Sequence, residues 1–294
     1  MHLISIFTFQ TKLFTKMKTL KLLIYSLFAL MVMVSLNACN KEENESNEAE
    51  TNLAAQEEIA ESVFDETEEI ADEAYARALG NFKSGDNWGR RLGECATVTL
   101  DTTVMPRVLT IDFGEENCLC NDGKWRRGKI IVTFTGRYHK PGTVITHTFE
   151  NFYVNDNHVQ GTKVMTNLGP NSNGQPEYST VVDGSITFQE NGFVVEWSSE
   201  HLRTWIEGFG TPEWYDNVFL ITGYGSHSNS NGGGFTRTIT APLRREASCH
   251  NIVSGTVETV PVNRPARILD YGDGTCDNLA TVTVNGETRI IKLP

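Results

Sequence analysis

Lys129-Ile-Ile-Val-Thr-Phe-Thr-Gly-Arg-Tyr138 decides the fold class. Ile130, Val132, Phe134 and Tyr138 fall on one side of the alternation; Lys129, Thr133, Thr135 and Arg137 fall largely on the other. Side chains of a strand point to opposite faces in turn, so this is the pattern of a half-buried β-strand. Outward from it, turn signals recur about every dozen residues. Lys140-Pro-Gly142 follows Tyr138, Asn155-Asp-Asn157 follows Tyr153, and Glu190-Asn-Gly192 follows Phe188. Asn285-Gly286 separates Ala280-Thr-Val-Thr-Val284 from Glu287-Thr-Arg-Ile-Ile291. Asn-Gly is a strong hairpin signal, because both central residues of a type I′ turn need positive φ. Successive hairpins pair neighbouring strands antiparallel. Residues 81–294 are therefore expected to form an all-β domain, an antiparallel meander that is open, sandwiched or partly closed. Nothing after Gly80 has the length and period of a crossover helix, which disfavours parallel βαβ folds. Segments 168–178 and 225–234, rich in Gly, Asn and Ser, are expected as long loops.

Acidic residues number 37 against 25 basic ones, a formal charge of −12. That balance argues against nucleic acid as a partner, since phosphate binding needs a positive surface. The acidity is local. Residues 1–38 hold four lysines and no acid, whereas residues 40–80 hold fourteen acids and two bases.

The leader explains the first of these segments. Lys12, Lys16, Lys18 and Lys21 precede the apolar run Leu22–Leu36, which ends in Asn37-Ala38-Cys39. A basic start, a short apolar middle and a small residue before the cut are the parts of a secretory signal peptide, assigned here to residues 1–38. A start at Met17 gives a leader of ordinary length. The run is shorter than the roughly 20 residues of a membrane span. Residues 39–52 then read as a lipid anchor and an acidic, self-repelling tether.

From Leu53 to Leu79 the composition turns to helix formers, without Gly or Pro until Gly80. Ile59, Val63, Phe64, Ile70, Ala74 and Tyr75 fall near helical spacing, so residues 53–80 are expected as an acidic amphipathic helix. Its apolar stripe is expected to dock on the β domain rather than on a partner. Its glutamates are expected on a solvated face rather than around a metal.

Beyond Cys39 there are Cys95, Cys118, Cys120, Cys249 and Cys276. Export exposes them to oxidising conditions. Cys249 is expected to pair with Cys276, and Cys95 with Cys118 or Cys120, leaving one thiol. Cys118-Leu-Cys120 lacks the spacing of a zinc site. Among the histidines, His139, His147, His158, His201, His227 and His250 form no H-E-x-x-H motif. No nucleophile elbow, P-loop or dinucleotide fingerprint occurs, so neither a catalytic residue nor a cofactor is assigned. Asp270, Asp273 and Asp277 crowd one Gly-rich stretch and are weak calcium candidates; a turn tied down by Cys276 is the stronger reading. Trp197, Trp205, Trp214 and Tyr215 are the candidates for glycan contact. If one strand runs through both, Trp197 and Trp205 share a face about 26 Å apart, a span suited to a long sugar chain, although such rings more often fill a β core.

Leu36-Asn-Ala-Cys39 resembles the bacterial lipobox, which implies lipid attachment at Cys39. Acyl chains contribute about 0.8 kcal/mol per buried methylene, so several together anchor stably. Asn40-Lys-Glu-Glu-Asn-Glu45 resembles the export signal of Bacteroidota surface lipoproteins. Asp101-Thr-Thr103 resembles an O-glycosylation sequon of the same phylum. From about Pro106 to Lys292 the chain resembles a family of uncharacterised Bacteroidota lipoproteins. The resemblance is carried by Leu109-Thr-Ile-Asp-Phe-Gly114, Gly128-Lys-Ile-Ile-Val-Thr133, Thr148-Phe-Glu-Asn-Phe152 and Gly161-Thr162. It continues in Val218-Phe-Leu-Ile-Thr-Gly223, Ser254-Gly-Thr-Val-Glu258 and Asp270–Asn278, leading into Ala280–Gly286. Cys120 departs from the family pattern.

Together these readings lead to an expected outer-membrane, surface-displayed, non-enzymatic lipoprotein. Its expected partners are the membrane through its lipid, and a polysaccharide or another surface protein. The alternatives are a glycan hydrolase with an unrecognised carboxylate pair, and a periplasmic assembly factor that grips a partner with the Leu53–Leu79 helix.

Overall fold

A computed structural model describes residues 63–64, 66–80, 91–211, 214–249 and 251–293. The signal peptide, Cys39, the tether and residues 53–62 of the expected helix lie outside the described residues. The described residues belong to one compact unit, Glu57–Pro294. No helix among them is long and apolar enough to cross a membrane.

Fourteen antiparallel strands form one open sheet. They are β1 (Thr97–Asp101), β2 (Arg107–Asp112), β3 (Cys118–Leu119), β4 (Trp125–Phe134), β5 (Val144–Val154), β6 (Asn157–Pro170) and β7 (Pro176–Thr187). There follow β8 (Val194–Glu207), β9 (Val218–Asn229), β10 (Gly234–Glu246), β11 (Ile252–Pro261), β12 (Arg267–Asp273), β13 (Leu279–Val284) and β14 (Glu287–Lys292). Spatial order follows sequence order, except that β2 pairs with β4 and β3 pairs with β4 off the main path. The meander is therefore the expected one, and it is open: β1 and β14 are its edges.

The turns behave as their residues dictate. Asn155 and Asp156 have φ of 49° and 65°, and Asn285 and Gly286 have 52° and 83°, as two-residue type I′ hairpins require. The two expected long loops are corrected. β6 runs on to Pro170 and β7 starts at Pro176, while β9 reaches Asn229 and β10 starts at Gly234. Gly169, Gly225 and Gly234, which read as loop, are strand residues, while Gly174, Gly232 and Gly233 lie in the short turns. A Cβ on Gly234 would meet His227 O at 2.2 Å.

One helix, α1, precedes the sheet; its described turns cover residues 63–64 and 66–78. It stops where expected, with Gly80 at φ 71°. Val63, Phe64, Thr67, Ile70, Ala71 and Ala74 are buried, so the apolar stripe docks on the sheet. Side chains of α1 touch β4 (Phe134 by Tyr75), β5 (Phe149 by Phe64), β6 (Lys163 by Glu68), β8 (Arg203 by Glu68) and β10 (Arg245 by Glu69). Strands lie about 4.8 Å apart, so β4 to β10 spans about 29 Å of flat sheet. A helix only about 10 Å across can reach both ends of that span only if the sheet curls around it. The core lies in this trough. One row on its lining, read across the registers, is Val132, His147, Lys163, Val182 and Ser199. The matching row on the outer face is Thr133, Thr146, Val164, Val181, Glu200 and Tyr224.

Candidate functional site

The trough is lined with bases and its helix carries acids. Lys163 follows Val159 in the inward phase of β6, Arg126 shares the phase of Ile130 on β4, and Arg203 that of Trp197 on β8. Against them α1 presents Glu66, Glu68, Glu69, Asp72 and Glu73. Glu68 binds Lys163 Nζ at 3.0 Å and Arg203 Nη1 at 2.9 Å. Lys163 also donates to Phe64 O at 3.1 Å, and Arg203 to Tyr138 Oη at 2.9 Å. Glu66 pairs with Lys124, with Arg126 at 3.3 Å and with Arg91 at 3.7 Å; Arg126 also holds Asp122 at 2.6 Å. The expected solvated face is thus corrected in part: Glu66 and Glu68 meet buried bases and Glu73 is buried, making α1 an acidic plug in a basic trough, while Glu69 and Asp72 stay exposed. Helical periodicity showed which α1 residues were acidic, but the bases that meet them lie on distant strands.

Electrostatics follow from this packing. Burial pushes the Glu68 carboxyl up, but Arg203 and Lys163 outweigh it and hold it below the usual carboxylate range. Asp72 is pushed up to about 7 by surrounding protein and by Glu68. Its own surface is exposed. His147 is buried beside Lys163, and both burial and that charge push it down to about 3. His227 is likewise pushed down to about 3 by burial and Arg237. It lies between Trp197, edge-on at 4.2 Å, and Phe235, stacked at 4.5 Å. Neither of its ring nitrogens has a hydrogen-bond partner among the described residues.

The aromatic candidates separate. Trp197 and Trp205 do share a face, but it is the covered one. Trp197 is 3% exposed, donates to Ser199 Oγ at 3.1 Å and packs on His227 and Phe235. No sugar reaches it, so the expected Trp197–Trp205 platform is corrected to core. Trp205 is half-buried among His139, Phe209 and Phe219. Trp214 opens a short 3-10 helix, Trp214–Asp216, and its side chain lies outside the described residues. Tyr215 on that helix is 56% exposed. Of the aromatic set, Trp205 belongs with Trp197 on the covered face, and Tyr215, at the connection between β8 and β9, is the ring exposed among the described residues.

A concave feature lies on the outer face, lined in part by Ile206 and Glu207 at the end of β8. It is an open groove of about 570 Å³. Leu202, Ile206, Leu220 and Pro242 make an aliphatic floor; Asn171, Gln175, Thr204, Thr222 and Glu207 supply amide, hydroxyl and carboxylate groups. Thr204 donates to Glu177 at 3.1 Å, and Asn171 donates to the same carboxylate at 3.1 Å, which fixes that wall. Glu207 pairs with Arg244 at 3.2 Å. The sequence reading missed the groove. Its residues come from the tip of one hairpin and the middle of three strands, and nothing in their spacing links them.

The remaining candidates are turns and cross-links. Cys95 pairs with Cys118 and Cys249 with Cys276; Cys120 is a buried free thiol. Asp270, Asp273 and Asp277 each accept a backbone N–H two residues on, from Gly272, Thr275 and Leu279. These are Asx turns, and the calcium candidates do not converge on one point. No group of three metal-ligating residues forms among the described residues. The chain matches no family model, and neither a curated protein nor a solved structure is significantly similar to it.

Proposed function

We propose that this chain is a lipid-anchored lipoprotein of the outer membrane, displayed at the cell surface, that binds a neutral oligosaccharide without transforming it. The observation that carries the ligand is the groove on β8, β9 and β10. It is open to solvent and large enough for a few sugar units, and it mixes an aliphatic floor with amide and hydroxyl groups. Ligand sites combine an apolar surface with a few placed polar groups in this way. Exposed Tyr215 on the β8–β9 connection offers a ring for stacking. The lipobox ending at Cys39 supports the anchor, and Lys41-Glu42-Glu43 supports display. Two carboxylates border the groove and both are held by protein partners: Glu207 by Arg244, and Glu177 by Thr204 and Asn171. Hydrolysis by the common glycosidase mechanism needs two carboxyls free to act as acid and as nucleophile or base, so carboxylates already engaged in this way favour binding over cleavage.

The test is a broad glycan array probed with the wild-type protein, with Gln175→Ala and with Tyr215→Ala. Binding by wild type that falls at least tenfold in Gln175→Ala, with unchanged melting temperature, supports the groove. A silent wild-type array, or binding that both variants retain in full, overturns the glycan reading.

A further inference from the structure

The open sheet ends at β14, whose six residues are all exposed. Each strand residue uses its backbone N–H and C=O on one side only, alternately left and right. Asn285-Gly286 is a two-residue turn, so the flanking Val284–Glu287 pair is hydrogen-bonded. Leu293 N also donates to Asn278 O at 2.8 Å. Both facts put the odd residues 287, 289, 291 and 293 in contact with β13. Thr288, Ile290 and Lys292 therefore aim their N–H and C=O groups outward, away from the sheet. Ile290 is 73% exposed, the most exposed of the large apolar residues. Natural edge strands are usually blunted by a bulge, a proline, charged side chains or a covering element; β14 carries Glu287, Arg289 and Lys292, but its register is regular throughout and Ile290 leaves its centre apolar.

We infer that β14 is an interaction surface for a second copy of this chain, pairing antiparallel with its own equivalent about a two-fold axis at Ile290. The register follows from elimination. An antiparallel pair with two-fold symmetry must set residues of equal parity opposite each other, so that both side chains emerge on one face. Centred on Arg289, the axis sets guanidinium against guanidinium; centred on Lys292, ammonium against ammonium; like charges directly opposite are destabilising. Centred on Ile291, it brings Pro294, which has no N–H, opposite Thr288. Centred on Ile290, residues 287–293 overlap fully, Ile290 faces Ile290, Thr288 faces Lys292 and Arg289 faces Ile291. No like charges meet. Three hydrogen-bonded pairs result, about six new hydrogen bonds at two per pair. One side-chain row then runs unbroken between copies: Ile268, Thr283 and Thr288 of one chain, then Lys292 and Leu279 of the other. Exposed Ile268 and Leu279 end that row, with threonines and Lys292 between them.

An edge pairing of this length is smaller than the roughly 1,200–2,000 Å² of a standard interface, so it is weak in dilute solution. It is populated where copies are held together, because tethering raises their effective concentration. The test uses the full chain in the membranes of expressing cells, treated with a mild oxidant and read on non-reducing gels. Ile290→Cys places two thiols across the axis at the roughly 5.5 Å Cα separation of a hydrogen-bonded pair, inside the disulfide range. Thr288→Cys places its two copies about 13 Å apart, four residues along the strand, and cannot join them. Cross-linked dimer at least tenfold stronger for Ile290→Cys than for Thr288→Cys is expected. Co-expressed Thr288→Cys and Lys292→Cys chains are expected to join each other. The native chain, whose Cys120 is buried, sets the background. No dimer above that background with Ile290→Cys overturns the inference. So does equal dimer from Ile290→Cys and Thr288→Cys, or failure of the mixed pair. The outcome is independent of the glycan array.

Discussion

Glu68→Gln should loosen the acidic plug. The carboxylate is 17% exposed and accepts from two bases at once, Lys163 and Arg203. Lys163 is 2% exposed at its side chain and also donates to Phe64 O. Breaking a buried ion pair by removing one partner costs about 3–5 kcal/mol, because a charge stays buried without its counter-charge. Arg203 is about a quarter exposed and recovers some hydration, which trims the figure to about 2–4 kcal/mol. Domains are typically stable by about 5–15 kcal/mol, so the loss is a large fraction of the whole. Urea denaturation followed by tryptophan fluorescence measures it, with Trp197 and Trp205 as reporters inside the trough.

The pH dependence gives a second reading of the same contact. The Glu68 carboxyl is held below its unfolded value of 4.5, so its contribution is full above pH 4.5 and is lost as pH falls towards the folded value. The gap between wild type and Glu68→Gln should therefore be widest at pH 6–7 and narrow below pH 4.5. The double variant Glu68→Gln/Lys163→Met should recover at least about 1 kcal/mol, because it removes the stranded charge as well. A loss under about 0.5 kcal/mol at pH 7 would refute the reasoning, as would a gap that stays constant from pH 7 to pH 4.

Gly184→Ala should destabilise by about 2 kcal/mol or more, since the new Cβ would meet Phe64 Cζ at 2.2 Å and Gln160 O at 2.7 Å; thermal melts check it, and an unchanged melting temperature refutes the docking of Phe64 on β7. His147 and His227 are held near 3, below the unfolded 6.5, so the stability that depends on their neutrality is full above pH 6.5 and drains as pH falls towards 3. His227→Phe should accordingly flatten the acid limb of a stability-versus-pH curve by a few kcal/mol, and a limb of unaltered slope tells against it. Replacing Cys249 and Cys276 by Ser opens a bridge of sequence separation 27 and should cost about 3–4 kcal/mol in urea denaturation; a loss below 1 kcal/mol contradicts the cross-link account. Protease shaving of intact cells should remove an epitope at Pro294 while a periplasmic control survives; survival of the tag, with purified protein shown to be cleavable, places the domain inside the outer membrane.

How much was legible depended on how local the cause was. Alternation in Lys129–Tyr138 exposes one strand's two faces, and β4 buries Ile130, Val132 and Phe134 as that alternation requires. Asn285-Gly286 determines its own turn, because the φ values belong to the two residues themselves. Gly225 misled for the opposite reason. Its composition reads as loop, but its Cα faces Ser199 and the Trp197 ring on β8, and a Cβ there would lie 3.4 Å from the ring. Only the pairing of β8 with β9 reveals that need. The plug was hidden in the same way. Lys163 in phase with Val159 was a visible irregularity, a base at an inward position. Its partner Glu68 lies 95 positions away on a helix whose acids, taken alone, read as a solvated surface.

The location of charge also bears on why the β domain needs α1. A curled sheet with Arg126, Lys163 and Arg203 on its inner wall holds three bases in a medium that screens charge poorly, where each needs a counter-charge. An apolar helix would fill the trough and leave those bases unpaired. An acidic helix with one apolar stripe does both tasks: Phe64, Ile70 and Ala74 fill the floor while Glu66 and Glu68 meet the bases. β1 and β14 remain the ends of the strand order, so β1 does not take up the outward groups of Thr288, Ile290 and Lys292. An edge unpaired among the described residues, regular in register and apolar at its centre, is what self-pairing through Ile290 requires.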